Sequence, residues 1–194
     1  MCKQLLDHLS KFVHLDITEQ DILQSYLQVT TISRKDFLLK EGQVCSGMYF
    51  VLEGCFRLYS VTDSGAEQIL QFGIENWWIS DYRSFENRVP SPYYIQAVED
   101  SQVVVISSEV YEELFHKIPK LERYFRLMMQ RAYTAALRKM ELFLSESAEA
   151  RYQQFSKNFP DFVQRIPQYM LASFLGFTPE FLSMLRAKNR RSVS

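Results

Sequence analysis

The chain has 194 residues, with 22 basic against 23 acidic side chains and a formal net charge of −1, which excludes a general polyanion binder. Hydrophobic residues make up 47% and aromatics 14%, enough for a substantial core, yet charged or polar residues interrupt every apolar run before it reaches bilayer length. The cysteines Cys2, Cys45 and Cys55 lack metal-ligand spacing, and Asp7 and the lysines break any leader-like apolar stretch at the N-terminus; the expectation is a cytoplasmic protein with reduced thiols, Cys45 and Cys55 on strands, and no membrane partner.

Apolar residues recur at helical spacing from residue 4 to 28: Leu5, Leu6, Leu9, Phe12, then Ile17, Ile22, Leu23, Tyr26 and Leu27. Thr18 before Glu19-Gln20-Asp21 reads as an N-cap with an acidic first turn, so a second short helix is expected there. From Val29 the pattern turns strand-like. Short β-rich runs at Val29–Ile32, Phe37–Leu39, Met48–Leu52 and Cys55–Tyr59 are punctuated by Glu41-Gly42, Glu53-Gly54 and Asp63-Ser64-Gly65. Further strands are expected at Gln68 to Phe72, Tyr93 to Glu99 and Gln102 to Ser107. Many short strands with turns between them argue for an antiparallel β-roll or jelly roll.

Pro119 opens a long helical stretch. Leu121, Met128, Ala135 and Leu142 recur every seven residues, flanked by Phe125, Met129, Ala132, Ala136 and Phe143. Such a heptad repeat is the signature of a coiled-coil seam, and the alanines let a partner helix come close. The alternative is that this stripe buries against the chain's own roll, and a single helix can do both, one face on the roll and one on a twin. A break is expected from Ser145 to Ala148.

The last thirty residues carry the most specific pattern. Leu171, Leu175, Phe177, Leu182 and Leu185 are spaced to face inward when two short helices cross around a tight turn. Ala172 sits where the helices pass closest, and Gly176 in the turn, where a residue without Cβ takes φ > 0 without strain. Thr178-Pro179 reads as an N-cap followed by proline at the first helical position. This is the frame of a helix-turn-helix whose second helix, from Pro179 to about Lys188, meets a DNA major groove. The plain alternative is a two-helix corner with no nucleic acid. From Arg165 onward there are five basic residues (Arg165, Arg186, Lys188, Arg190, Arg191) and one acid, Glu180. A basic end on an acidic body suits a two-part regulator.

The run Phe37-Leu38-Leu39-Lys40-Glu41-Gly42 and the run from Met48 through Gly54 to Tyr59 resemble the first half of a cyclic-nucleotide-binding domain. With the long helix and the helix-turn-helix, the whole chain resembles the Crp/Fnr family of bacterial transcription regulators. The stretch Glu75-Asn76-Trp77-Trp78-Ile79-Ser80-Asp81, with Pro90-Ser91 and Ile95 to Asp100, is similar to its Bacteroidetes-type branch. The resemblance implies an α+β chain in three parts: a β-roll sensor over 1–118, a dimerisation helix and hinge over 119–146, and a helix-turn-helix domain over 147–194. It implies a homodimer reading an inverted repeat in double-stranded DNA, with RNA polymerase as a further partner. Leu121, Met128, Ala132, Ala135 and Leu142 would form the dimer helix.

The departures from the family pattern bear on both sites. Cyclic-AMP-binding members offer a Gly-Glu pair and an Arg followed by Ser or Thr, the arginine neutralising the cyclic phosphate. Here Ser80-Asp81 and Ser91-Pro92 stand at those places, and neither Arg83 nor Arg88 holds the family arginine's position. Weak or no cyclic-AMP binding follows. The tentative effector pocket is Ser80, Asp81, Arg83, Ser91 and Tyr93, open to a less charged ligand or filled by Trp77, Trp78, Tyr93 and Tyr94. In the reading helix Glu180 matches the acid that family members direct at a cytosine amino group, while Pro179 and Met184 replace two guanine-reading arginines. DNA contact then rests on Thr178, Glu180, Ser183, Arg186, Lys188 and Arg190, the basic ones toward phosphates. The chain ends at Ser194, short of a β-hairpin wing. The alternative function is a ligand-binding or interaction module that has lost specific DNA binding. An enzyme is not expected: a metal-binding jelly roll needs histidines on its strands, and His8, His14 and His116 fall on none. No cofactor is implied with certainty.

Overall fold

A computed structural model describes residues 2–192, and the side chains of residues 2–188. Two helices, α1 (Lys3–Ser10) and α2 (Ile17–Tyr26), precede the strands. The cap of α2 is Asp16, not Thr18: the Asp16 carboxylate accepts from the Glu19 N–H and Glu19 accepts from the Asp16 N–H, both at 2.9 Å. Asp16 wins because it alone has a glutamate three residues on, which completes a reciprocal capping box.

Strands β1 (Gln28–Ile32), β2 (Phe37–Leu39), β3 (Gly47–Glu53), β4 (Phe56–Val61), β5 (Glu67–Gly73) and β6 (Trp78–Ile79) follow, then helix α3 (Tyr82–Asn87) and strands β7 (Tyr94–Ala97) and β8 (Ser101–Ser107). They form two antiparallel four-stranded sheets, ordered β1-β8-β3-β6 and β2-β7-β4-β5. The expected β-roll is therefore present. β6 and α3 had no signature in the sequence pattern, being too short for either period to register. Cys45 and Cys55 lie just outside β3 and β4, buried in the connections and not on strands. Gly54 turns the β3–β4 corner at φ +95°, and a Cβ there would lie 2.1 Å from the Ser101 hydroxyl oxygen. Only glycine fits a corner where backbone meets side chain this closely.

Helix α4 (Tyr111–Lys117), also unforeseen, leads into α5 (Lys120–Ser145), which ends at the anticipated break. Ser147 then caps α6 (Ala148–Asn158) by accepting from the Ala150 N–H. α7 (Pro160–Arg165), α8 (Gln168–Leu175) and α9 (Pro179–Ser192) follow. One core joins both sheets with α1, α4 and the first turns of α5, through Leu5, Met48, Phe50, Val104, Leu114 and Tyr124. A second runs from Tyr59, Ile69 and Phe72 of the roll into Tyr152, Val163, Ile166, Leu171 and Leu182 of the C-terminal helices. Among the described residues, no helix is long and apolar enough to cross a membrane.

Candidate nucleic-acid interface

α8 and α9 cross around Gly176, which caps α8 at φ +75° with its N–H on the Ser173 carbonyl. Leu171, Ala172, Leu175, Leu182 and Leu185 are buried between the helices and Phe177 is half-buried. The Thr178 hydroxyl accepts from the Phe181 N–H at 3.2 Å, and Pro179 stands first in α9. The Phe143 ring of α5 seals the turn: a Cβ on Gly176 would lie 2.8 Å from its Cε1. Inward leucines fix the rotation of α9 and leave Thr178, Glu180, Ser183, Met184 and Ala187 facing solvent. The Glu180 carboxyl is held below the usual carboxylate range by its own backbone N–H and the Thr178 hydroxyl. It presents an ionised acceptor.

In the roll, Asp81 caps α3 and is 4% exposed. Its carboxylate accepts from the N–H groups of Arg83 (3.1 Å) and Ser84 (3.3 Å) and from the Ser91 hydroxyl (2.7 Å). Ser91 in turn accepts from the Tyr93 N–H, Ser80 donates to the Gly47 carbonyl, and Ser84 accepts from the Cys45 N–H while donating to Val89. Every one of these buried polar groups has a partner within the chain, as burial demands.

The C-terminal helices are fastened to the roll. Arg165, at the end of α7, donates two hydrogen bonds to Glu75 (2.9 and 2.7 Å) and pairs with Glu99 through both Nε (3.0 Å) and Nη2. Glu75 also accepts from the Gly54 N–H. Ser173 of α8 accepts from the Ile69 N–H and donates to the Glu67 carbonyl, at 2.9 and 2.7 Å. Lys139 of α5 donates to the Leu70 carbonyl and lies 3.6 Å above the Phe174 ring, and burial lowers its pKa to about 8. Phe72 packs on Phe162 and Phe174.

Residues 29–117 match the cyclic nucleotide-binding domain family. The chain is 27% identical over 127 residues to transcriptional activator protein anr of Pseudomonas aeruginosa, covering 66% of this chain and 51% of the relative. It is 26% identical over 172 residues to the fumarate and nitrate reduction regulatory protein of Vibrio cholerae, covering 83% and 68%. Its fold matches a solved Crp/Fnr family chain from Eubacterium rectale with a TM-score of 0.70 at 14% identity, over 92% of this chain and 85% of that one. The chain is thus similar in sequence and in fold to Crp/Fnr family regulators. It spans between about half and two thirds of the length of the curated relatives it matches.

The expected interface residues divide. Thr178, Glu180 and Ser183 are exposed on the outward face of α9, Arg186 is half-buried on its flank, and Lys188 pairs with Glu149 at 2.9 Å. The Arg190 side chain lies outside the described residues. Arg165, counted toward the basic end, is held by the two roll carboxylates. Of the expected pocket, Ser80, Asp81 and Ser91 come together, whereas Arg83 and Tyr93 contribute backbone N–H groups. Ser84 and Cys45 join this cluster unannounced; the Asp-x-x-Ser spacing from Asp81 was the available signal for Ser84. The aromatics do not fill the pocket as a group. Trp77 is 48% exposed, Trp78 packs on Phe50 and Phe125 and donates to the Tyr124 hydroxyl, and Tyr94 stacks on Tyr59. Arg88 donates to the Ser108 carbonyl instead of entering the pocket.

The long helix α5 carries its free apolar face elsewhere than the heptad reading placed it. Leu121 is 1% exposed within the roll core and Met128 is half-buried against it, so neither is open to a partner helix. Ala132 and Ala135 are exposed and Leu142 is half-buried. Besides Phe143 at the α8–α9 turn, the large exposed apolar residues of α5 are Met129, Tyr133, Leu137, Met140 and Leu144. They follow the 3.6-residue period and sit one step around the helix from the seven-residue line. The roll takes the neighbouring face and thereby sets which stripe remains.

Proposed function

We propose that the chain is a DNA-binding transcription regulator, a cytoplasmic homodimer that reads an inverted repeat and takes no cyclic nucleotide. The observation that carries the reading is the α8–Gly176–α9 unit, whose leucines are consumed by the core while the first turns of α9 stay open. The regulatory names of the curated relatives support it. The stripe of Met129, Tyr133, Leu137, Met140 and Leu144 supplies the dimer seam, with Ala132, Ala135 and Ala136 letting the helices approach. Dimerisation along α5 sets two copies of α9 about 34 Å apart, one turn of DNA. In the roll, a cyclic phosphate brought beside Asp81 meets a buried carboxylate already engaged by the Arg83 and Ser84 N–H groups and the Ser91 hydroxyl, a like charge that disfavours it. An effector acting there is uncharged or weakly charged.

The test is selection of genomic fragments by the purified protein, followed by gel shifts at low and near-physiological salt. The expected result is an inverted repeat that survives the higher salt. Retention that vanishes with salt and shares no motif overturns the reading. Light scattering on Leu137→Glu/Met140→Glu, expected to be monomeric, tests the seam. A second reading, an interaction module without specific DNA binding, draws on Arg165 and Lys188 being engaged within the chain. Loss of salt-resistant binding together with an intact dimer favours it.

A further inference from the structure

The outward line of α9 has an unusual chemistry for a reading helix. At about 100° per residue, Glu180, Met184 and Ala187 share a sector of about 60°, directly opposite Leu182 and Leu185. Ser183 lies on one edge of that sector and Lys188, tied to Glu149, on the other. Met184 is 58% exposed and its thioether arm is the largest group on the line. In sequence the rest of α9 carries Arg186, Lys188, Arg190 and Arg191 against the single acid Glu180, with Lys188 paired to Glu149.

Base edges divide by what they need. Guanine presents two acceptors in the major groove and is read by donors; cytosine and adenine present amino donors and are read by acceptors; thymine presents a methyl group and is read by apolar contact. Glu180 is ionised and donates nothing. Met184 and Ala187 have no N–H or O–H. The central line therefore has nothing with which to read guanine, and one acceptor and two apolar groups with which to read the other edges.

We propose that Met184 is a specificity-determining residue that packs on a thymine methyl group, with Ala187 covering a second methyl and Glu180 accepting from a cytosine or adenine amino group. The inference rests on the DNA-binding reading above. Four helical residues span about 6 Å, close to two base-pair steps of about 3.4 Å. The thymine under Met184 thus lies one or two base pairs from the base that Glu180 contacts.

The experiment uses the full-length protein and the strongest inverted repeat recovered by selection. Each thymine of one half-site is replaced in turn by deoxyuridine, which removes the methyl and nothing else. For the wild type, one position within two base pairs of the Glu180 contact is expected to weaken binding about fourfold, the worth of one buried methyl. Met184→Ala is expected to abolish that penalty while leaving the other uracil substitutions unchanged. Repeating the selection with Met184→Arg is expected to replace that thymine with guanine, the base a bidentate donor prefers. Because Met184 is exposed and the inward leucines are untouched, both variants should melt like the wild type. If a repeat is recovered and every uracil substitution is neutral, or the penalty persists in Met184→Ala, the assignment to Met184 is overturned while DNA binding stands. If no shared repeat is recovered, the DNA-binding reading falls and this inference with it.

Discussion

Replacing Arg165 by alanine removes the strongest polar tie between the C-terminal helices and the roll. The guanidinium is 30% exposed, and Glu75 and Glu99 are 34% and 37% exposed, so its bonds are partly screened and cannot be valued as buried ones. An exposed pair is worth about 0.2–1 kcal/mol, and a charge-assisted hydrogen bond up to about 3 kcal/mol when dry. Two half-exposed pairs with a forked donor fall between these limits, and Arg165→Ala should lower stability by about 1–2 kcal/mol at neutral pH. Arg165→Lys keeps the charge, loses the fork, and should retain about half of that. Acid supplies the sharper test. The Arg165 hydrogen bonds hold the Glu75 carboxyl below its ordinary value of 4.5. A depressed carboxylate contributes stability that is present above its unfolded pKa and is lost as pH falls through the folded one. The gap between wild type and Arg165→Ala should therefore be full above about pH 5 and narrow steadily below about pH 4. Urea unfolding followed by Trp77 and Trp78 fluorescence across that range reads both numbers. An unchanged midpoint in Arg165→Ala, or a gap that widens on acidification, would refute the tie.

Four other changes probe the α8–α9 corner, the Asp81 cluster and the base of α5. Gly176→Ala forces a side chain onto φ +75° and against Phe143, which should cost about 1–3 kcal/mol in urea unfolding; pairing it with Phe143→Ala should relieve the contact but not the backbone strain. Asp81→Ala leaves the Ser91 hydroxyl and two N–H groups of α3 without their acceptor, and should cost at least about 2 kcal/mol in the same assay. Tyr124→Phe strips the partner from the Trp78 indole N–H (2.8 Å) and the His8 ring nitrogen (2.7 Å), for about 1–3 kcal/mol. Burial lowers the His8 pKa from 6.5, so the wild type should lose stability as pH falls below that value, where the unfolded chain binds the proton more readily. His8→Gln should flatten this limb in calorimetric melts at pH 5 to 7.5.

How far these features could be seen in the sequence depended on how far apart the cooperating residues lie. Ala172, Gly176 and the leucines of the C-terminal unit act within a dozen residues of one another, and their spacing carried the geometry nearly whole. The strands were legible too, because Gly42, Gly54 and Gly65 mark turns that backbone chemistry requires. The role of Arg165 is not legible locally because its partners, Glu75 and Glu99, are 90 and 66 residues away, and no local pattern ties a terminal arginine to a roll carboxylate. Asp81 was flagged at its family position, yet its role as an internal acceptor depends on Ser91 arriving from the far side of α3. On α5 the seven-residue repeat at Leu121 and Met128 was real. It reported packing against the roll, and the free stripe had to be inferred from what that packing left over.

The Ser173 hydroxyl has a consequence of a different kind. β5 is the outer strand of its sheet, and an uncovered strand edge is a template onto which a stranger's backbone can zip. Ser173 answers the Ile69 N–H and the Glu67 carbonyl with one oxygen, standing in for a neighbouring strand. Swinging α8 away from the roll thus does more than reorient a helix pair: it bares a sticky seam beside Phe72 and Ile69. Fragments cut after α5 should associate edge to edge, which light scattering against the intact chain would report.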